Sequence, residues 1–240
     1  MALKYKRVLL KFSGEALMGD GEFGLDAQTL DQVVDQVKAL HDLGVEIGIV
    51  VGGGNIFRGA QIQGSGIQRT TADHMGMMAT VMNALALRDV IESKGMDAQV
   101  LSAMSIEGIA TDGFNANMAK KHLASGSVVI FAAGTGSPFF TTDTAAALRG
   151  VEISADIVLK ATKVDGIYTA DPFKDSTAER YSALSYDEVI QKNLQVMDMT
   201  AFVLCRDHDM PIRVFDMFKD QAVIRIVQGE DEGTLVSNGD

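Results

Sequence analysis

Four glycine-bearing stretches, each set just after an apolar run, carry the residue types that handle phosphate. The densest follows Ile47-Gly48-Ile49-Val50-Val51, a β-branched run that reads as a buried strand and stops at Gly52-Gly53-Gly54. Glycines there let backbone N–H groups approach an anion with no side chain in the way. Arg58, four residues on, adds a planar fork of donors matched to phosphate oxygens. Lys11-Phe12-Ser13-Gly14 places a lysine at a strand exit, immediately before a glycine turn. It reads either as a cation reaching phosphates across a crevice or as an ordinary solvated strand end.

The third stretch, Gly134-Thr135-Gly136-Ser137-Pro138-Phe139-Phe140-Thr141-Thr142-Asp143, combines hydroxyls, a rigid proline, two aromatics and an acid. Such a loop can read the edge of a uracil and pack a ring against it; Thr142 or Asp143 can equally cap the next helix. The fourth, Lys160-Ala161-Thr162-Lys163-Val164-Asp165-Gly166-Ile167-Tyr168-Thr169-Ala170-Asp171-Pro172, carries an Asp-Gly turn, with Ile167-Tyr168-Thr169 expected to return as a short strand. It is a plain hairpin, or else Tyr168 meets an adenine ring with Thr162 and Asp171 at its polar edges. Asp73 opens a long helical pattern, as N-cap or as acceptor for ribose hydroxyls. His74 is read as structural, because a phosphate acceptor is largely dianionic near neutrality and needs no base. Met75, Met78 and Met82 recur at helical spacing and read as core.

Familiar nucleotide signatures are missing. No Gly-x-x-x-x-Gly-Lys-Ser/Thr occurs, and neither the first nor the second strand leads into Gly-x-Gly-x-x-Gly, which disfavours a P-loop enzyme and a dinucleotide oxidoreductase. The net charge of −11 argues against nucleic acid as a partner. It does not argue against a nucleotide, since charges beyond about 8 Å are screened and local cations decide a site. No apolar run reaches membrane-spanning length, and the run Val8-Leu9-Leu10 is too short for a signal peptide and is interrupted by Lys11. The single Cys205 fits a reducing compartment, so a cytoplasmic location is expected.

To position these residues the chain alternates strand-like and helical segments. Strands are expected at Arg7–Phe12, Val45–Val51, Ala98–Leu101, Ser127–Ala132, Asp156–Ala161, Ile212–Phe215 and Gly233–Val236. Helices are expected at Asp26–Leu43, Asp73–Ser93, Asn115–Leu123, Thr142–Arg149, Tyr186–Lys192, Asp198–His208 and Asp220–Gln228. This alternation implies one α/β domain, a three-layer sandwich with a mainly parallel central sheet flanked by helices. Ligands of such sheets sit beyond the carboxyl ends of the strands, where the glycine stretches fall. A soft division near residue 155 would separate an acceptor-side half from a donor-side half.

Together these stretches resemble the amino-acid kinase superfamily, in its bacterial uridylate kinase branch, over residues 5 to 236. The motifs are Lys-Phe-Ser-Gly-Glu-Ala-Leu, Gly-Gly-Gly-Asn-Ile-Phe-Arg-Gly, Asp-His-Met-Gly-Met, the Gly134–Asp143 loop and the Lys160–Pro172 segment. The resemblance implies phosphoryl transfer from ATP to UMP. On this basis Lys11, Phe12, Ser13, Gly14, Gly54, Arg58, Thr162, Tyr168 and Asp171 would face ATP. Gly53, Asp73 and the loop Thr135, Gly136, Ser137, Pro138, Phe139, Phe140, Thr141 and Thr142 would face UMP. Lys11, Arg58 and Asp143 would be catalytic, with Asp143 a ligand of Mg²⁺, directly or through water, and Asp198 near the metal or organising the site. The family further implies a homohexamer, activation by GTP and inhibition by UTP. The regulatory segment would match Gly19, Asp20, Gly21, Glu22, Phe23 and Gly24, joined by Arg88. Glu92 and Gln99 stand where some relatives carry basic side chains. A kinase of acetylglutamate or aspartate, and a nucleotide sensor without turnover, are the rival readings.

Overall fold

The computed structural model describes residues 3–59, 66–109, 112–194 and 196–239. Its strands are β1 (Arg7–Phe12), β2 (Glu46–Val51), β3 (Ala98–Ser102), β4 (Asp112–Gly113), β5 (Val128–Ala132), β6 (Ile157–Thr162), β7 (Ala183–Ser185), β8 (Ile212–Asp216) and β9 (Thr234–Ser237). The helices are α1 (Ala27–Asp42), α2 (Arg69–Ser93), α3 (Ala116–Ala124), α4 (Thr142–Glu152), α5 (Tyr186–Gln191), α6 (Met199–Asp207) and α7 (Ala222–Gln228). One nine-stranded sheet runs β4-β3-β5-β2-β1-β6-β8-β9-β7. Every pairing is parallel except β8 with β9.

Strand alternation divides the core into two layers of side chains. Val8, Leu10 and Phe12 of β1 point to the face covered by α1, α2 and α7, while Leu9 points to the face covered by α3, α4, α5 and α6. Lys11 shares the face of Leu9 and lies abreast of Lys160 in the parallel register of β1 and β6. Helix α4 crosses this face closely: a Cβ on Gly150 would come within 2.9 Å of Val158 on β6.

The expected elements form within a few residues of their predicted bounds, with instructive differences. Helix α2 starts at Arg69, one turn before Asp73, so Asp73 is not its N-cap. Met75, Met78 and Met82 are 40%, 39% and 55% exposed, so they belong to no core; Met77 faces inward instead. Ile167–Thr169 forms no strand, only an isolated antiparallel bridge between Tyr168 and Arg180. The short strands β4 and β7 and a 3-10 turn over Gly14–Leu17, capped by Ser13, were not expected. Residue 155 falls just before β6, between the β1–β5 and β6–β9 parts of the continuous sheet.

Candidate active site

The four glycine stretches follow β1, β2, β5 and β6, and these strands are consecutive neighbours in the order β5-β2-β1-β6. Parallel pairing puts all four carboxyl ends on one edge. The backbones of two loops touch there: a Cβ on Gly14 would lie 2.6 Å from Gly54 N and 2.7 Å from Gly52 O. Gly53 O accepts from the N–H groups of Ile56 and Phe57 at 3.0 and 2.9 Å. The Gly53 and Gly54 N–H groups donate to no acceptor among the described residues. That leaves two bare amides at the end of a parallel strand, a ready anion nest.

At the β1–β6 register, Lys11 Nζ lies 2.7 Å from Asp143 Oδ1, and Lys160 Nζ lies 2.7 Å from Asp143 Oδ2. Lys160 also donates to the carbonyl of Val196. All three charged groups are largely buried, with side-chain exposures of 8%, 11% and 15% for Lys11, Lys160 and Asp143. Burial alone would push the Asp143 carboxyl up, but Lys11 and Lys160 outweigh it and hold the group below its ordinary value of 3.8. Lys160 is pushed down from 10.5 by burial first and by the neighbouring Lys11, against the opposing pull of Asp143. Beyond this contact with the Lys11 ammonium, Asp143 Oδ1 has no further donor among the described residues.

Asp143 is held here by the start of α4. Thr141, not Thr142 or Asp143, is the N-cap, accepting from the N–H groups of Asp143 and Thr144 at 3.0 and 3.4 Å. In the first turn a carboxylate is also favoured by the helix dipole. Asp198 locks this cap: Oδ2 accepts from Thr141 Oγ1 at 2.5 Å and Thr144 Oγ1 at 2.9 Å, while Oδ1 caps α6 through Ala201 N at 2.9 Å. Asp198 therefore organises the α4 and α6 termini from behind Asp143.

Beside this cluster lies a cleft of about 730 Å³. Gly53, Gly54, Arg69, Asp73, Thr135, Phe140, Thr141 and Thr142 line it; Gly136, Ser137, Pro138 and Phe139 continue the loop outside that lining. Asp73 accepts from Arg69 Nε at 2.8 Å and from Phe139 N at 2.8 Å, tying α2 to the Thr135–Thr142 loop. Phe139 has φ of 73°, a left-handed strain that this bond helps to hold. Its ring is 66% exposed, with the Arg69 guanidinium 5.9 Å from its centre. His74 is exposed and does not line the cleft.

The remaining expected residues are spread along the same edge. Arg58 is tethered to Gly54 O at 3.0 Å and to Glu15 at 3.1 Å, apart from the Lys11–Asp143–Lys160 cluster. Thr162 ends β6 and bonds Val164 O at 2.6 Å. Tyr168 donates its hydroxyl to Asp165 at 2.5 Å, and Asp171 sits in an exposed turn near Lys174. Lys163 is exposed. In the Gly19–Gly24 segment Asp20, Gly21, Glu22 and Phe23 are exposed, and Gly24 N donates to Asn55 O at 2.8 Å. Arg88 pairs with Asp89 at 2.9 Å on α2. Asn55 and Asn83, two buried amides beneath the glycine loop, went unread in the sequence; an asparagine inside an otherwise apolar helix face was the available signal.

A mainly parallel sheet with a phosphate cradle and a buried lysine–aspartate–lysine cluster on one edge is the arrangement of a phosphotransferase. The amino acid kinase family matches residues 6–216, and the chain belongs to that family. Within it, the likeness is to uridylate kinases. That of Hydrogenovibrio crunogenus is 80% identical, with 98% of this chain and 100% of the relative covered. That of Stutzerimonas stutzeri is 59% identical, with 97% and 94% covered. Among solved structures, the UMP kinase of Bacillus anthracis superposes with a TM-score of 0.95 at 37% identity, covering 98% of this chain and 97% of that one. The UMP kinase of Ureaplasma parvum gives 0.90 at 33% identity, with 98% and 100% covered.

Proposed function

We propose that this chain transfers the γ-phosphoryl group of ATP to UMP, giving ADP and UDP by direct in-line displacement without a phosphoenzyme. The observation that carries the reading is the pairing of two bare glycine amides with two buried lysines on one strand edge, beside a cleft with hydroxyls and an aromatic ring. Two anionic reactants 4 Å apart repel by about 4 kcal/mol per pair of unit charges at an effective dielectric of about 20. Overcoming that repulsion and aligning the oxygens is the main catalytic task.

In this reading Gly53 holds the UMP phosphate, Asp73 the ribose, and Thr135–Thr142 the uracil. Gly54, Arg58, Ser13 and Gly14 receive the ATP phosphates, with Thr162, Tyr168 and Asp171 around the adenine nucleotide. The β1–β5 part then serves the acceptor and the β6–β9 part the donor. Lys11 and Lys160 stabilise the charge on the transferring group. Asp143 keeps both ammonium groups in register and needs no proton transfer, because its carboxyl is already held ionised. Attack by Asp143 itself is disfavoured, since both of its oxygens face lysines.

Asp143 also fits a Mg²⁺ ion that arrives with ATP. Its buried Oδ1 meets only the Lys11 ammonium and keeps lone-pair capacity, and no cluster of three or more metal-ligating side chains occurs among the described residues. Mg²⁺ characteristically takes one or two carboxylates plus substrate phosphates and water. Bound there, it would neutralise charge on the bridging phosphates.

The product would feed pyrimidine nucleotide synthesis toward UTP and CTP, in the cytoplasm; no helix among the described residues is long and apolar enough to cross a membrane. The exposed methionine face of α2 supports self-association as the homohexamer. Activation by GTP through Gly19–Gly24 and Arg88, and inhibition by UTP, are part of the same reading. It is supported by the direct hydrogen bonding of Gly24 to Asn55 beside the phosphate cradle. ADP release measured with UMP, CMP, AMP, acetylglutamate and aspartate tests the substrate. We expect turnover with UMP far above the others; ADP release favouring either amino acid derivative would overturn it.

A further inference from the structure

Beneath the phosphate cradle, the side chains of Asn55 and Asn83 form a reciprocal amide pair. Asn83, on α2, donates to Asn55 Oδ1 at 2.7 Å and to the Gly52 carbonyl at 2.7 Å. Asn55 donates to Asn83 Oδ1 at 3.0 Å and to the Gly24 carbonyl at 2.9 Å. Both residues are buried, at 1% and 0% exposure, and all four amide N–H bonds are used. Asn55 Oδ1 also presses on Gly14, where an added Cβ would lie 2.6 Å away. One pair thus touches the loops after β1 and β2 and the segment that precedes α1.

Its directional effect falls on Gly53. A trans peptide sends the carbonyl of one residue and the N–H of the next in opposite directions, and no cis peptide occurs among the described residues. Asn83 draws the Gly52 carbonyl toward itself, so the Gly53 N–H is turned away from the pair. That N–H donates to nothing among the described residues, and Gly53 lines the cleft. An apolar side chain of similar volume could fill the space beneath the loop. It could not fix the plane of the Gly52–Gly53 peptide.

We propose that Asn83, buttressed by Asn55, is a positioning residue that aims the Gly53 amide at the phosphate of the acceptor. This deepens the reading of Gly53 as the acceptor-phosphate holder and rests on it. The effect falls on the phosphate, because in that reading the nucleoside is held by Asp73 and the Thr135–Thr142 loop and not by Gly53. Losing a well-aimed hydrogen bond to a charged phosphate costs roughly 10- to 100-fold in affinity.

The test compares UMP with uridine, binding measured by calorimetry to the intact chain and to Asn83→Leu and Asn83→Asp. The expected result is UMP affinity reduced on the order of 10-fold or more in both variants, with uridine affinity within about 2-fold of the unaltered chain. The KM for UMP should rise with that loss, while the KM for ATP changes little. In Asn83→Asp the defect should shrink as pH falls, because a protonated carboxyl regains a donor. Equal weakening of UMP and uridine, or of neither, in a folded variant overturns the proposal. Loss of binding that only ever accompanies loss of fold does the same, assigning the pair a structural role. An unaltered chain that binds no UMP would instead sink the functional reading beneath it.

Discussion

Replacing Asp143 by asparagine removes the one carboxylate between two buried lysines, and its consequences can be worked out with their sign. Each lysine lies 2.7 Å from that carboxylate. At an effective dielectric of about 20 such a contact is worth about 6 kcal/mol before desolvation. Measured losses on breaking a buried pair are about 3–5 kcal/mol, because the desolvation cost of the surviving charge remains. We take about 4 kcal/mol, which for a chain of this size lowers the melting temperature by roughly 10 °C.

The pH profile is the sharper readout. The folded pKa of Asp143 lies below 3.8, so its contribution is complete above that value and is lost as pH falls through the folded pKa. The folded pKa of Lys160 already lies below 10.5, pushed there by burial and Lys11, with Asp143 opposing. Without Asp143 it falls further. A lysine depressed in this way penalises folding while protonated, and the penalty lifts as pH rises from the folded pKa toward 10.5. The gap in stability between the unaltered chain and Asp143→Asn should therefore be widest near neutrality and narrow at both ends. Thermal unfolding from pH 3 to pH 10 measures it. Asp143→Asn/Lys160→Met should recover more than half of the neutral-pH loss. A gap that is absent, or constant across the whole range, would refute the reasoning.

Three further outcomes follow from the same geometry. Lys11→Ala should lower turnover by a factor on the order of 10² or more with the fold intact by circular dichroism, since under the proposed mechanism it deletes a preorganised cation at the transferring group. Gly14→Ala should destabilise by about 1–3 kcal/mol in urea unfolding, because its Cβ would meet backbone atoms of Gly52 and Gly54 at 2.7 and 2.6 Å that cannot step aside. His74→Asn should keep most activity in the ADP-release assay, the side chain being exposed and off the cleft lining; complete loss in a folded protein would mean that a proton-transfer role had been overlooked.

How much of this was legible in the sequence depends on the range of the interaction that decides each feature. The central strands β1, β2, β5 and β6 are apolar runs ended by polar or glycine residues, and a buried parallel strand leaves that trace locally. The start of α2 left none: Gln68 makes no capping bond, so the first acid, Asp73, looked like the beginning. Asp73 in fact pairs with Arg69, which precedes it by one turn. The methionine spacing correctly marked one helix face, but periodicity does not say whether anything covers that face. Strands β4 and β7 have two and three residues and exist through pairing with β3 and β9, which no local pattern announces. Nothing local to the Lys160–Lys163 segment says which lysine enters the cluster; the register of β1 against β6 decides it. Asp198 entered only through the family resemblance, and its bonds to the Thr141 cap depend on a meeting of α4 with α6 that no local pattern announces.

That register also explains how an acidic chain can gather anions. With a net charge of −11 the molecule as a whole repels nucleotides. At physiological salt, however, charges more than about 8 Å away are largely screened. What an incoming phosphate meets is therefore decided by nearby groups: Lys11, Lys160 and Asp143 sum to one positive charge, and the bare Gly53 and Gly54 amides add partial positive charge without adding a counterion. Two lysines abreast on adjacent strands would be unstable alone. The carboxylate that makes them tolerable is delivered by the first turn of α4, whose cap is fixed by Asp198 on another helix. The positive field at the crevice is thus a property of the sheet register and one helix start, and changing the overall charge of the surface should leave it nearly untouched.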